Sequence, residues 1–144
     1  MGINSAMEIA AAGMEVQQAR LEVTIANVAH SRTTRASDGA LYQPLEVVVG
    51  SAAPAPAALR AGAAQDLPRP EVVGIVPLDV PPRRVHDPGH PDADAQGFVT
   101  LPAVDPIDSM VDLMEVSRSY EANLRAFDIA RSLLQRTLDQ WGRS

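Results

Sequence analysis

The one stretch of this sequence that gathers side chains able to do chemistry is His86-Asp87-Pro88-Gly89-His90-Pro91-Asp92-Ala93-Asp94. Imidazoles and carboxylates are common ligands of divalent metals, and two histidines four residues apart would share one face of a helix. Pro88, Gly89 and Pro91 forbid that helix, so nothing local makes His86 and His90 converge. From Asp92 the pattern Asp-x-Asp also begins like a calcium loop, but the twelfth position is Ala103 where such a loop needs a bidentate glutamate. Asp92 and Asp94 are expected instead to hold backbone amides in a tight turn ahead of a strand at Phe98. No serine sits in a nucleophile elbow, no glycine-rich phosphate loop is present, and there is no cysteine. The expectation is a chain with no catalytic residue, no metal ligand set and no cofactor.

A second group, Tyr120, Glu121 and Asn123, lies within a helical pattern. In one reading Tyr120 belongs to an apolar stripe and Glu121 pairs on the surface with Arg125, four residues on. In the other, Glu121 and Asn123 hydrogen-bond to an N-terminal helix or an adjacent subunit, where a buried amide or carboxylate would fix register.

The elements that position these groups are two long terminal helices. Met7, Met14, Leu21 and Val28 recur every seventh residue, and so do Leu113, Tyr120, Phe127, Leu134 and Trp141. A strict seven-residue repeat keeps one stripe facing a partner helix and favours a coiled coil. The second seam position of the first helix (Ile3, Ala10, Gln17, Thr24) is only half apolar, so that helix is marginal alone and expected to order on finding partners. Ser5-Ala6-Met7-Glu8 has the form of a capping box and sets its expected start, with the helix running to about Ala29. Ser31-Arg32-Thr33-Thr34-Arg35 ends it. The last helix opens on Asp105 as N-cap, with Pro106 at the first helical position and Asp108 near the positive dipole end. It runs to about Trp141 and Gly142, roughly 50 Å at 1.5 Å per residue. Glu115–Arg118, Glu121–Arg125 and Asp128–Arg131 are spaced to pair along it. The residues expected at the subunit interface are Met7, Met14, Leu21, Asn27 and Val28, with Leu113, Tyr120, Glu121, Asn123, Leu124, Phe127, Leu134 and Leu138.

The middle of the chain holds most of the prolines and glycines. Leu45–Val49, Val72–Val76 (extended through Val80) and Phe98–Leu101 read as strands. Ser51–Pro70, rich in alanine and proline, reads as a flexible loop. Three segments follow: 1–35, 36–104 and 105–144. The fold class is mainly α with a small β-element, its terminal helices pairing as an antiparallel or in-register coiled coil around an irregular β/loop middle.

Bulk properties agree with assembly. The 144 residues make one domain's worth of chain, 46% hydrophobic but only 3% aromatic, so a core built largely on alanine is thin and neighbours are expected to complete it. A net charge of −6 argues against nucleic acid. Every basic residue is arginine, which suits bidentate interface pairs. No cleavable secretion signal is visible, since the first basic residue is Arg20 and Glu8 and Glu15 interrupt the early apolar stretch. No run approaches the roughly 20 apolar residues of a membrane span, so no direct membrane insertion is expected.

Asp87 to Asp94 followed by Gly97-Phe98-Val99, then Met110-Val111-Asp112-Leu113-Met114 and Ser117-Arg118-Ser119-Tyr120-Glu121-Ala122-Asn123, resembles the flagellar rod and hook axial protein family. Ala26-Asn27-Val28-Ala29 with Thr33-Thr34-Arg35 resembles the segment that family places after its first helix. The Tyr-Glu-Ala-Asn segment marks the wider family, and Pro-Gly-His-Pro-Asp-Ala-Asp points to a proximal-rod branch. The sequence departs from the family pattern at Ala103, where asparagine is usual, at His30, which replaces a second asparagine, and at Tyr42-Gln43-Pro44, which lacks the usual basic residues. The resemblance implies a rod subunit exported unfolded, uncut, through the flagellar type III export apparatus. It implies a place in a hollow helical rod that crosses the periplasm and transmits torque. Implied partners are copies of itself, the rod proteins FlgB, FlgF and FlgG, and the rod-base adaptor FliE. It also favours the interface reading of Glu121 and Asn123. Other readings are a different proximal-rod subunit, a non-flagellar coiled-coil adaptor, or a metal enzyme built on His86 and His90.

Overall fold

The computed structural model describes residues 2–34, 40–52 and 68–142. Along the chain run α1 (Ile3–His30), β1 (Leu45–Ala52), β2 (Arg69–Pro77), β3 (Arg83–His86), β4 (Phe98–Leu101) and α2 (Pro106–Trp141). The architecture is the expected one, two long helices packed on each other beside a small β-element. The helices are antiparallel: Gly13 in the first half of α1 meets Asn123, while Val23 and Asn27 line the same cleft as Asp105 and Ser109 at the start of α2.

Local chemistry sets most helix ends. Asp105 caps α2 as expected, its Oδ1 accepting from the Ile107 amide at 2.8 Å, and Pro106 occupies the first turn. Gly142 closes it, donating to the Leu138 carbonyl at 2.9 Å in right-handed geometry. At the other end of the chain the capping box does not form. Gly2 is the N-cap, with no side-chain cap, and the Ala6 amide bonds to the Gly2 carbonyl at 3.3 Å, carrying the helix back past Ser5. The Glu8 carboxylate goes instead to Arg69 of β2 at 3.1 Å, a partner 61 residues away that outcompetes the local cap. α1 ends at His30, and Ser31 turns the chain with its Oγ on the Val28 carbonyl at 2.7 Å. Arg35 lies outside the described residues.

The β-element is two antiparallel hairpins. β1 pairs with β2 from Leu45↔Pro77 to Ala52↔Arg69, with a register shift at Val48/Val49. The ends of the expected Ser51–Pro70 loop are therefore strand, and residues 53–67 lie outside the described residues. β2 stops at Pro77 short of Val80: the Leu78 amide still donates in register to the Pro44 carbonyl at 2.7 Å, but Pro44 has no amide hydrogen to return the bond, and the Val80 amide bonds locally to the Leu78 carbonyl at 3.0 Å. β3, which pairs with β4 from Arg83↔Leu101 to His86↔Phe98, was not expected from sequence. Its residues, Arg-Arg-Val-His, carry no alternating apolar pattern, and all four are exposed.

The core is thin. Buried apolar side chains are alanines and valines (Ala10, Val16, Val23, Val47, Val99, Val104, Val116, Ala130), with Pro102 enclosed among them. Among the described residues no helix is long and apolar enough to cross a membrane.

Candidate subunit interface

The buried line of α2 is Ser109, Val116 and Ala130, with half-buried Asn123 between them at the same seven-residue step. Against it α1 presents Ala10, Gly13, Val16 and Val23. A Cβ built on Gly13 would lie 2.7 Å from Asn123 Nδ2 and 2.9 Å from its Cγ, so glycine is what lets the amide seat against α1. This seam of small and polar residues corrects the expectation that the large heptad residues form it. Met7, Met14, Leu21 and Val28 flank the seam half-buried, as do Leu113, Phe127 and Leu134. Small residues win the centre because they allow the backbones to approach, and dispersion contacts fall away steeply with distance. Tyr120, Glu121, Leu124 and Leu138 are exposed, and Trp141 is the most exposed large apolar side chain at 79%. Of the three ion pairs expected on α2, Glu121–Arg125 forms loosely at 3.7 Å; the described residues show neither Glu115–Arg118 nor Asp128–Arg131.

Asn27 is a clasp between α1 and β1. Its Nδ2 donates to the Leu45 carbonyl at 2.8 Å, and its Oδ1 accepts from the Leu45 amide and the Tyr42 hydroxyl, both at 2.9 Å. The side chain thus mimics a backbone partner for the first residue of β1. Burial pushes the Tyr42 pKa up, which keeps its hydroxyl protonated as a donor. His30 stacks on the Tyr42 ring at 4.5 Å between centroids and meets Thr33 Oγ1 at 3.3 Å. Two departures from the family pattern, at His30 and Tyr42, therefore contact each other.

The His/Asp stretch is spent on a turn. Asp94 Oδ1 accepts from the Gln96 and Phe98 amides at 2.9 Å, as expected for it, and Oδ2 pairs with Arg84. The Phe98 amide above all, followed by the Gln96 amide and the Arg84 guanidinium, holds the Asp94 carboxyl below the usual carboxylate range, against an opposing desolvation. Asp92 has a longer reach: its Oδ2 accepts from the Thr34 hydroxyl at 2.7 Å, fastening this loop to the end of α1. His86 lies edge-on to Phe98, and His90 Nδ1 takes the Asp92 amide at 3.1 Å. Gly97 sits at φ +77°, and a side chain there would also press on Pro88 and His86. Among the described residues no three imidazole or carboxylate groups gather as a metal would need.

The feature that sequence reasoning missed is the first two turns of α2. Ile107, Met110, Val111 and Met114 are 73%, 59%, 53% and 54% exposed, on the side of the helix away from α1. Their i, i+3, i+4, i+7 spacing is itself a legible amphipathic signal, but it reads as a core face until burial is known. Beside them an open cleft of about 500 Å³ separates α2 from α1 and β1, walled by Asp105, Asp108, Asp112, Glu115 and Glu46, with Arg20 opposite. Contiguous apolar surface of this kind, rimmed by charge, is typical of faces that other molecules cover.

Comparison with known proteins bears on which molecule that is. Residues 95–140 match the family described as flagellar basal body rod FlgEFG protein C-terminal. Along nearly its whole length the chain is similar to flagellar basal-body rod proteins FlgC. Identity is 31% with that of Aquifex aeolicus, over 98% of both chains. It is 33% with that of Escherichia coli O6:H1, over 96% of this chain and 97% of the relative. With that of Agrobacterium fabrum it is 34%, over 95% and 94%.

Proposed function

This chain belongs to the family of flagellar basal-body rod proteins FlgC, and from that premise we propose that it builds the proximal part of the rod by letting neighbouring subunits cover the faces of α2 that its own fold leaves bare. It is a structural subunit of the flagellar basal-body rod. The observation that carries the assembly reading is the exposed apolar face of Ile107, Met110, Val111 and Met114, set opposite a seam that is already closed. A thin core of alanine and valine is consistent with stability completed by neighbours.

In this reading α1 and α2 pair within one chain, and the exposed Tyr120, Glu121, Leu124 and Leu138 meet adjacent subunits. Asn123 holds register inside the pair, while Asn27 ties the pair to the β-element that faces outward from it. Its role in this reading is structural: among the described residues the clustered carboxylate and imidazole groups are engaged in the 87–97 turn or wall the cleft beside α2. Its neighbours would be copies of itself and other rod components, FlgB, FlgF, FlgG and the adaptor FliE among them, reached by type III export without cleavage. The reading predicts that deleting the gene gives non-motile cells whose basal bodies lack the rod, and that re-expressing this chain restores both. A deletion strain that still builds a rod and swims would refute it.

A further inference from the structure

Five methionines and no cysteine make thioethers the only sulfur groups in the chain. Met7 and Met14 flank the seam half-buried, and Met1 lies outside the described residues. Met110 and Met114 differ from them: both are more than half exposed, one turn apart on α2. At about 100° per residue, Ile107, Met110, Val111 and Met114 fall within an arc of about 100°, while Val116 and Asn123 of the seam lie on the opposite side. The two thioether sulfurs are the oxidisable atoms of this face, since isoleucine and valine offer an oxidant no lone pair. Four side chains make the face apolar, and two of them become polar on gaining one oxygen each.

We propose that Met110 and Met114 form a modification site at which hydroperoxides decide whether a free subunit can be built in. The Sδ lone pair attacks the terminal oxygen of the hydroperoxide, and the O–O bond breaks as an S–O bond forms. The proton on the transferred oxygen passes to the departing one, which leaves as water or an alcohol. Sulfur loses two electrons and the peroxide gains them. The sulfoxide oxygen is a hydrogen-bond acceptor that water satisfies and an apolar neighbour does not. Oxidation of a buried methionine disrupts a core, but here both side chains lie away from α1, so the monomer keeps its fold and only the face changes. The effect on assembly rests on the rod reading above, in which neighbours cover this face and would bury the sulfoxide without a partner. Methionine sulfoxide reductases with a thiol reductant return the thioether, so the change is reversible.

Hydrogen peroxide treatment of the purified full-length protein, mapped by peptide mass spectrometry, reads the site directly. Met110 and Met114 should gain oxygen at least about threefold faster than Met7 and Met14, with the urea midpoint unchanged. The two methionine sulfoxide reductases, one for each sulfoxide epimer, should reverse the gain in the presence of dithiothreitol. Equal rates at all four residues, or loss of helical circular dichroism as the two outer sulfurs react, would overturn the proposal. Two double variants carry the test into cells. M110L/M114L keeps volume and apolarity but cannot be oxidised, and should enter rods as the unaltered chain does. M110Q/M114Q sets an uncharged amide where the sulfoxide oxygen would be, and should enter rods about tenfold less at an unchanged urea midpoint. At a peroxide dose that leaves growth unchanged, rods per cell should fall for the unaltered chain and hold for M110L/M114L. Full incorporation of M110Q/M114Q, or an equal response of the two chains to peroxide, would overturn the proposal. Selective oxidation of the purified protein, together with a deletion strain that still swims, would sink the rod reading while leaving the modification site standing.

Discussion

The two sides of α2 are built from different residues for different purposes. The side against α1 is a line of small or polar side chains, with Asn123 fitted over Gly13 and Ser109 bonded to the Asp105 carbonyl at 2.8 Å. The side facing away carries isoleucine, valine and two methionines, all more than half exposed. By hydrophobicity alone the two would be exchanged, since the larger apolar groups gain most from burial. The difference teaches that the inner face is selected for close approach and unique register, whereas the outer face keeps its apolar area for a surface that arrives later. The folded chain is complete in its packing but not in its burial.

A matched pair of substitutions would break this comparison most severely if it is wrong. Val116 is 8% exposed and Val111 53%, on one helix five residues apart. Val116→Asp would place an unpaired carboxylate in the seam and should cost about 3–4 kcal/mol, read as a lower urea midpoint with loss of helical circular dichroism. Val111→Asp should leave stability within about 0.5 kcal/mol and instead abolish incorporation into basal bodies. Equal destabilisation by both would mean that the outer face is part of the monomer's core after all.

Asn27 sharpens the comparison from the other helix, because it is expected from the sequence to have an intersubunit role. Three hydrogen bonds within the chain assign it an internal one. Asn27→Ala should cost about 2 kcal/mol, less than three separate bonds would suggest because water replaces part of each. Amide exchange at Leu45 should quicken before that of the α1 interior. Unchanged exchange at Leu45 would place the residue's importance outside the monomer.

These contrasts also show what the chain disclosed in advance. The start of α2 was legible because Asp105 and Pro106 act on the turn they belong to, and the Asp94 turn was legible for the same reason. The start of α1 was not: Ser5 and Glu8 have the local form of a cap, but the carboxylate finds Arg69 across the fold. β3 is a strand only by virtue of pairing with β4, and nothing in Arg-Arg-Val-His announces that. The true seam escaped a count of apolar residues because Ser109, Gly13 and Asn123 are not apolar. The outer patch had a clear helical spacing, yet spacing alone does not tell a buried face from one awaiting a partner.

The finest test is on the inner face itself. An exposed glycine in a helix interior costs about 1 kcal/mol relative to alanine, so Gly13→Ala would ordinarily stabilise α1. Here the new Cβ meets the Asn123 amide at 2.7–3.0 Å, and the overpacking, typically 1–3 kcal/mol, offsets that gain. A net loss of about 1 kcal/mol is expected. Asn123→Ala removes the obstacle, so in that background Gly13→Ala should become stabilising, and the double-mutant cycle should show a coupling of at least about 1 kcal/mol. If Gly13→Ala stabilises the protein with Asn123 intact, the helices are not in close contact there, and the distinction between a closed inner face and an open outer one fails at its tightest point.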